Sequence, residues 1–140
     1  MKVRTTRFGE LEVPKEKIIH FPRGILGFDR ITRYFLMDYE DTPIKWLQSV
    51  EDPEVAFMVV DPLMFFPDYG PELSAVEKEL LGLKKPEDFA LLAVMKVSRD
   101  KEPRVTLNLM APLVLNASTM CGFQIVMEKS RYRVNEPVAA

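Results

Sequence analysis

The sequence predicts a mainly β fold, a small antiparallel β-roll or barrel-like single domain with one or two short helices. Three observations carry this prediction. Short apolar stretches recur along the chain, turn residues separate them, and no strand–helix–strand rhythm is present. The length of 140 residues fits one domain. We assign that domain to residues 1–140 and expect 136–140 to fray.

The N-terminal half is predicted to contain four short strands and then a hairpin. The four strands are placed at 2–8, 11–13, 18–21 and 34–38. The hairpin pairs 44–50 with 55–60, because the Glu-Asp-Pro-Glu sequence between them favours a turn. The run VAFMVV at 55–60 lacks polar alternation, so both of its faces should be covered. We interpret Gly24 and Gly27, in the loop FPRGILGFDR, as glycines that the backbone conformation requires.

One helix is well supported, and it lies near the middle of the chain at 74–81. Ser74 is a favourable N-cap, Glu77 stands three residues later as in a capping box, and Gly82 is a natural stop. Strands are predicted after it at 89–97, 105–116, 123–128 and 132–134.

The stretch VTLNLMAPLVLNA at 105–117 combines strong apolar alternation with a proline. The apolar phase that starts at Val105 is the same on both sides of Pro112, which predicts one long strand, or two collinear pieces, without a one-residue bulge. Proline donates no N–H, so Pro112 should lie on the more polar face at an edge or barrel corner. Asn108 and Asn116 should face outward or cap turns.

Charge is unevenly distributed, although the net charge is only −2. That balance does not favour nucleic-acid or membrane binding by the whole molecule. Between Lys45 and Lys78 there is no Lys, Arg or His. The acidic residues of this interval are Glu51, Asp52, Glu54, Asp61, Asp68, Glu72 and Glu77. They are either a chance cluster of turn residues or an acidic surface for a basic partner.

The sequence offers little chemistry for catalysis, so we predict that the chain is not an enzyme and needs no metal or cofactor. His20, the sole histidine, has the surroundings of a strand residue, and Cys121 lacks a sequence-local activating partner. Asp61, Asp68 and Glu72 suggest a carboxylate pair for glycan hydrolysis as an alternative, but each has an ordinary turn or cap role. The polar N-terminus and the lack of a long apolar run predict a cytoplasmic protein.

Binding functions remain, and two classes compete. A small RNA-binding β-barrel is the first, but the aromatic residues of 57–69 lie in the acidic interval, where phosphates are repelled. Protein recognition is the second. The apolar run 63–66 between two prolines is expected to tuck under the barrel, but any exposed part of it suits a partner's amphipathic helix. A plain scaffold or oligomerisation module is a third possibility.

Several stretches together resemble one family, the flagellar assembly factor FliW. They are FPRGILGFDR, IKWLQSVEDPEVAF, VDPLMFFPDYGPELS, VTLNLMAPLVLN and GFQIV, and they cover essentially the whole chain in this order. The resemblance implies a non-catalytic, cytoplasmic, β-barrel-like protein that binds newly made flagellin. It also implies binding to the RNA-binding translational repressor CsrA, so that flagellin synthesis is coupled to export. We expect these two partners, no direct contact with nucleic acid or membrane, and a monomer.

The resemblance fixes partners better than contacts, so the binding residues are assigned as hypotheses. We expect flagellin to contact Phe65, Phe66 and the outward side of 106–116, including Asn108 and Asn116. We expect an acidic face and one aromatic anchor toward the repressor: Glu51, Asp52, Glu54, Asp61, Asp68, Glu72 and the anchor Tyr69. The core should include Trp46, Leu47, Phe57 and Leu107.

Overall fold

Within residues 1–102 and 104–138, which the computed structural model describes, seven strands close into a barrel. The strands of this ring are β3 (Ile19–His20), β4 (Arg33–Asp38), β5 (Lys45–Ser49), β6 (Ala56–Val60), β7 (Phe89–Val97), β9 (Leu113–Asn116) and β10 (Cys121–Gln124). Their order is β7-β6-β5-β4-β3-β10-β9, and β9 pairs back onto β7. All neighbours pair antiparallel except β3 and β10. The predicted mainly β, barrel-like fold is confirmed.

Four further strands lie outside the closed ring of the described residues. The hairpin of β1 (Lys2–Thr5) and β2 (Gly9–Glu12) packs an apolar cluster against β4. The other two strands, β8 (Val105–Leu107) and β11 (Glu136–Pro137), extend the sheet beyond the end of β7.

The predicted β5–β6 hairpin is confirmed, and two side chains hold its turn. Ser49 Oγ accepts hydrogen bonds from the backbone N–H groups of the two residues that open the turn. The buried amide of Gln48 donates to the carbonyls of Pro53 and Val55 at the other end. Of the expected core residues, Leu47 and Leu107 are fully buried, whereas Trp46 and Phe57 are half-buried. Full covering of 55–60 holds only for its last two residues.

The predicted helix is confirmed as α1 (Ala75–Leu81). Ser74 and Glu77 form the capping box, and Gly82 ends the helix in the left-handed conformation at φ +62°. Buried Leu81 packs with Val114 and Phe123, so the helix covers the face of the barrel formed by β9 and β10.

The stretch 105–116 forms two strands, β8 and β9, which both pair with β7, so the predicted two-piece form is confirmed and the single long strand is wrong. Leu107 pairs with Met95 and Leu113 pairs with Leu92, both on β7. From Leu107 to Leu113 the chain advances by six residues, whereas the paired part of β7 advances by three. Three extra residues are therefore inserted between β8 and β9. The apolar alternation continues through the insertion because Leu109 and Ala111 are buried there too. Pro112 is also buried rather than on a polar face.

The C-terminal prediction is wrong in two respects. Residues 132–134 form no strand, whereas Glu136–Pro137 pairs with Leu107 and Thr106 as β11. The backbone N–H of Val138 donates to the Val105 carbonyl at 3.0 Å, so 136–138 are paired rather than frayed. Proline is tolerated here because β11 is an edge strand. Residues 139–140 lie outside the described residues.

The barrel has one weak seam, between β3 and β10. A single parallel pair, Cys121 with His20, joins the two strands. Pro22 follows shortly after β3, and the chain then turns through Gly24 and Gly27, at φ +69° and +88°. The interpretation of both glycines as conformational is confirmed. Beyond the single pair, β10 has no strand neighbour on that side within the described residues.

Candidate functional site

Adjacent exposed apolar side chains lie on, and directly after, a short 3-10 turn, Pro62–Met64, that follows β6. Asp61 caps this turn, since its carboxylate accepts from the Leu63 N–H at 2.9 Å. Relative exposures are 43% for Leu63, 60% for Met64 and 36% for Phe65. Phe66 is half-buried and packs against the second core cluster. We call residues 62–66 the apolar turn. Its residues 63–65 are exposed, which contradicts the expectation that the run tucks under the barrel, whereas Phe66 points largely inward.

The acidic residues assigned to the repressor from the sequence form two groups rather than one face. Residues 51–54 lie in the β5–β6 turn, whereas Asp61, Asp68 and Glu72 follow the other end of β6. The five residues of β6 separate the two groups. At about 3.3 Å per residue, that strand is roughly 17 Å long. The single acidic face expected from the sequence is therefore divided.

The first acidic group is largely engaged in holding its own turn. Glu51 accepts from the Arg33 backbone N–H at 2.9 Å and from the Arg33 guanidinium at 3.4 Å, so its charge is partly compensated. Asp52 accepts from the Glu54 backbone N–H at 3.0 Å. Of the three, only Glu54 has a side chain without such a partner among the described residues.

The second acidic group borders the apolar turn. Asp68 and Glu72 are exposed, and neither side chain has a hydrogen bond or ion pair within the part of the chain that the structure describes. We call Asp61, Asp68 and Glu72 the acidic rim. Arg131 lines pockets with both Asp68 and Glu72 but forms an ion pair with neither within the described residues. The apolar turn is thus flanked along the chain by carboxylates without a direct ionic partner.

Tyr69 is not the exposed anchor expected from the sequence. It is 6% exposed, and its hydroxyl donates to the Leu109 carbonyl at 2.7 Å. Its ring meets Tyr132 edge-to-face at 4.7 Å. Burial raises the pKa of the Tyr69 phenol above its usual value, with a smaller contribution from Tyr132. Tyr69 therefore fastens the loop after the apolar turn to the insertion between β8 and β9.

The two asparagines predicted to contact flagellin are engaged internally. Asn116 is buried: its Nδ2 donates to the Leu81 carbonyl at 2.8 Å, and its Oδ1 accepts from the Ser118 N–H at 2.9 Å. Asn108 is half-buried, and its Oδ1 accepts from the Ala111 N–H at 3.0 Å, which closes the insertion. Both therefore act as caps, the alternative that the sequence left open, and the assignment of Asn116 to a partner surface is wrong.

A groove of about 730 Å³, which the sequence did not predict, lies between residues 70–77 and 125–132. Tyr132 closes one end, where its hydroxyl accepts from the Gly70 N–H at 3.1 Å. The groove joins segments far apart in sequence, so no local motif marks it. The sequence predicted a strand at 123–128, which forms part of one wall, but β10 ends at Gln124 in the structure.

Catalytic and metal chemistry receive no support from the described residues. They contain no group of three or more His, Cys, Asp or Glu placed to hold a metal ion. His20 is an exposed residue of β3. Burial raises the pKa of the half-buried Cys121 thiol, which disfavours the reactive thiolate. None of the helices in these residues has the length and apolar character needed to cross a bilayer.

Comparison with known proteins yields consistent matches over nearly the whole chain. The model of one protein family, described as "FliW protein", matches residues 2–138. A relative from Geobacter sulfurreducens is 44% identical over 137 residues, 98% of this chain and 86% of its own length. One from Syntrophotalea carbinolica is 39% identical over 140 residues, 99% of each chain. Both are named flagellar assembly factor FliW.

A solved structure agrees with these sequence matches. It is titled as the crystal structure of the flagellar assembly factor FliW and superposes with a TM-score of 0.90 at 31% identity. The match covers 100% of this chain and 98% of the other.

Proposed function

The chain belongs to the FliW family, and from this premise we propose that it is a non-catalytic flagellar assembly factor. In this proposal it binds newly made flagellin in the cytoplasm and antagonises the RNA-binding translational repressor CsrA. The names of its relatives support the flagellar role, because they are called assembly factors. The observation that carries a binding role is the exposed apolar turn, which is flanked by carboxylates that have no ion-pair partner among the described residues.

Flagellin is the partner proposed for the apolar turn. Leu63, Met64 and Phe65 expose adjacent apolar side chains, and Met adapts its shape to different contacts. Such a surface suits the apolar face of an amphipathic helix. Phe66 contributes from beneath by supporting the turn against the core.

The CsrA-type repressor is the partner proposed for the acidic rim. A protein that grips RNA presents basic surface, and that surface attracts Asp61, Asp68 and Glu72. Glu54 is the member of the first acidic group with charge left to offer at the far end of β6. Docked beside the RNA site, this negative charge repels phosphate without filling the site. Inhibition should then weaken as salt screens the charges.

Competition between the two partners follows from the proximity of the two surfaces. Asp61 both belongs to the acidic rim and caps the apolar turn, so one loop serves both partners. Flagellin on the apolar turn then hinders the repressor. Export of flagellin frees the protein to bind the repressor, and flagellin synthesis resumes.

Titration of the purified protein against flagellin and against the repressor, each at low and high salt, tests the proposal. Met64→Asp should weaken flagellin binding at least about tenfold, since it places a charge in an apolar contact. The matched control is Val76→Asp, which changes a similarly exposed apolar residue on α1. Binding of neither partner by the folded wild-type protein would refute the proposal.

Charge reversal separates the repressor surface from the flagellin surface. Asp68→Lys should weaken repressor binding and flatten its salt dependence, whereas Glu16→Lys, at an exposed carboxylate outside the rim, should change neither. Equal effects of the two variants would mean that net charge, rather than the acidic rim, directs the repressor.

A further inference from the structure

We propose that residues 124–128 form an open strand edge that accepts an extended, basic segment of a partner protein as an additional β-strand. This surface lies in the groove between residues 70–77 and 125–132. It is distinct from the apolar turn, and the inference does not depend on the identity of either partner proposed above.

The pairing pattern leaves one edge of this segment unused. The N–H of Ile125 donates to the Pro112 carbonyl at 3.0 Å, and the N–H of Met127 donates to the Met110 carbonyl at 2.8 Å. Both bonds continue the antiparallel register of β10 with β9. Because alternate residues of a strand turn their N–H and C=O to opposite sides, those of Val126 face away from this neighbour.

Val126 has no backbone partner on its free side. Within residues 1–102 and 104–138, neither its N–H nor its C=O takes part in a hydrogen bond, and the residue is 39% exposed. Unpaired strand edges of this kind are templates for another strand.

The fold explains why this edge is open. The neighbour on that side is β3, which consists of Ile19–His20 and pairs with β10 only at Cys121. Farther along, the Leu26 N–H donates to the Gln124 side chain at 2.7 Å rather than to its backbone. The loop after β3 therefore covers the start of the edge and leaves Val126 free.

The groove beside the edge has a volume suited to a short peptide. Its volume of about 730 Å³ lies within the range of roughly 300–1,000 Å³ typical of ligand sites. Its far wall is fixed, because Tyr132 accepts from the Gly70 N–H and Tyr69 is bonded to the Leu109 carbonyl. A partner therefore meets a preformed site rather than one that must fold around it.

The charge and polarity of the groove specify the occupant. Apolar side chains line it at Leu73, Ile125 and Met127, and carboxylates outnumber cations around it. The carboxylates are Glu72, Glu77 and Glu128, against Lys129 and Arg131. Since a strand alternates its side chains, the complementary segment places apolar residues on the floor and basic residues against Glu72 and Glu77. We therefore commit to an extended segment of alternating apolar and basic residues.

The first test uses a fluorescein-labelled octapeptide of alternating valine and lysine, followed by anisotropy in physiological salt. It should bind the wild-type chain, and the valine–glutamate counterpart should bind at least about tenfold more weakly. Two further peptides are methylated on alternate backbone nitrogens, one at the odd and one at the even positions. Each of them lacks the N–H groups along one edge of the added strand and keeps those along the other. Only one of them should lose binding, because only one edge of an added strand faces Val126. Equal binding of both methylated peptides and the parent would overturn strand addition.

Variants of the protein locate the site. Val126→Pro removes the free N–H but leaves the bonds of Ile125 and Met127, so it should weaken binding at least about tenfold. Glu72→Lys should weaken binding several-fold, whereas the matched Glu79→Lys, an exposed carboxylate of α1 outside the groove, should not. Equal effects of the two charge reversals would overturn the site.

Two controls keep the result interpretable. The urea midpoint of each variant is measured first, and if Val126→Pro does not fold, the methylated peptides alone decide the question. Sedimentation equilibrium without peptide tests the competing occupant. A wild-type dimer that Val126→Pro dissociates would mean that a second copy of this chain fills the edge, and would overturn the peptide proposal.

Discussion

Tyr69→Phe should destabilise the protein measurably, because it removes one buried hydrogen bond and nothing else of comparable size. The Tyr69 hydroxyl donates to the Leu109 carbonyl at 2.7 Å, and Leu109 is itself buried. Leaving a buried carbonyl unpaired costs about 1–3 kcal/mol. For 140 residues, the unfolding entropy near 60 °C is about 0.3 kcal/mol/K, so Tm should fall by roughly 3–10 °C.

Urea and thermal unfolding of wild type, Tyr69→Phe and Tyr132→Phe check this prediction. Tyr132 is the matched control, since its hydroxyl bonds Gly70 at an exposed position where water can replace it. Its loss should cost less than about 1 kcal/mol. If Tyr69→Phe changed the free energy of unfolding no more than Tyr132→Phe, the clamp between the two loops would have no energetic basis.

The same variant should alter the stability at high pH. Burial raises the pKa of Tyr69 above the value of an exposed tyrosine, and burial together with the Glu51 charge raises that of Tyr34 to about 12. A raised folded-state pKa means that the unfolded chain releases its proton first. The stabilisation is therefore complete below about pH 10 and is lost as the pH rises through the folded-state value. Tyr69→Phe should make this alkaline decline shallower than in wild type.

Three further predictions concern single structural features. Gly24→Ala should destabilise the chain more than Gly27→Ala. Both glycines have positive φ, but only at Gly24 would a Cβ meet backbone atoms, 2.5 Å from the Asp29 Cα. Urea midpoints compare the two variants, and equal midpoints would mean that the close approach has no energetic effect. Asn116→Ala should lower the free energy of unfolding by roughly 2–3 kcal/mol, because buried hydrogen bonds are lost, and the folded variant should bind flagellin as tightly as wild type. A variant of unchanged stability but weaker flagellin binding would restore a binding role for Asn116. Ser74→Ala should cost about 1 kcal/mol by removing the N-cap of α1, as measured by urea unfolding, and no change would mean that packing alone holds the helix.

Elements that depend on local interactions were predictable from the sequence. The helix follows from Ser74, Glu77 and Gly82, whose capping interactions lie within one short segment. The β5–β6 hairpin follows in the same way from an acidic, proline-containing turn between two apolar runs. In each case the residues that determine the element are the residues that make its contacts.

Features that depend on distant contacts were not predictable. Tyr69 bonds a carbonyl 40 positions away, and Asn116 bonds one 35 positions away. Nothing in the neighbourhood of either residue distinguishes a surface side chain from a buried one. The insertion after Leu107 was not predicted for a related reason. Apolar alternation is typical of a strand, but the buried loop that Asn108 closes also requires apolar residues.

The acidic interval shows how sequence proximity can mislead about a surface. No basic residue interrupts its acidic residues along the chain. However, β6 lies between them, so residues 51–54 and 61–72 are found at opposite ends of that strand. The segment 61–77, which follows β6, contains the acidic rim, the apolar turn and one wall of the groove. Glu72 borders both the apolar turn and the groove, so a variant at Glu72 alone cannot tell which of the two surfaces a partner binds. Variants at Met64 and Val126 can, because Met64 belongs only to the apolar turn and Val126 only to the groove.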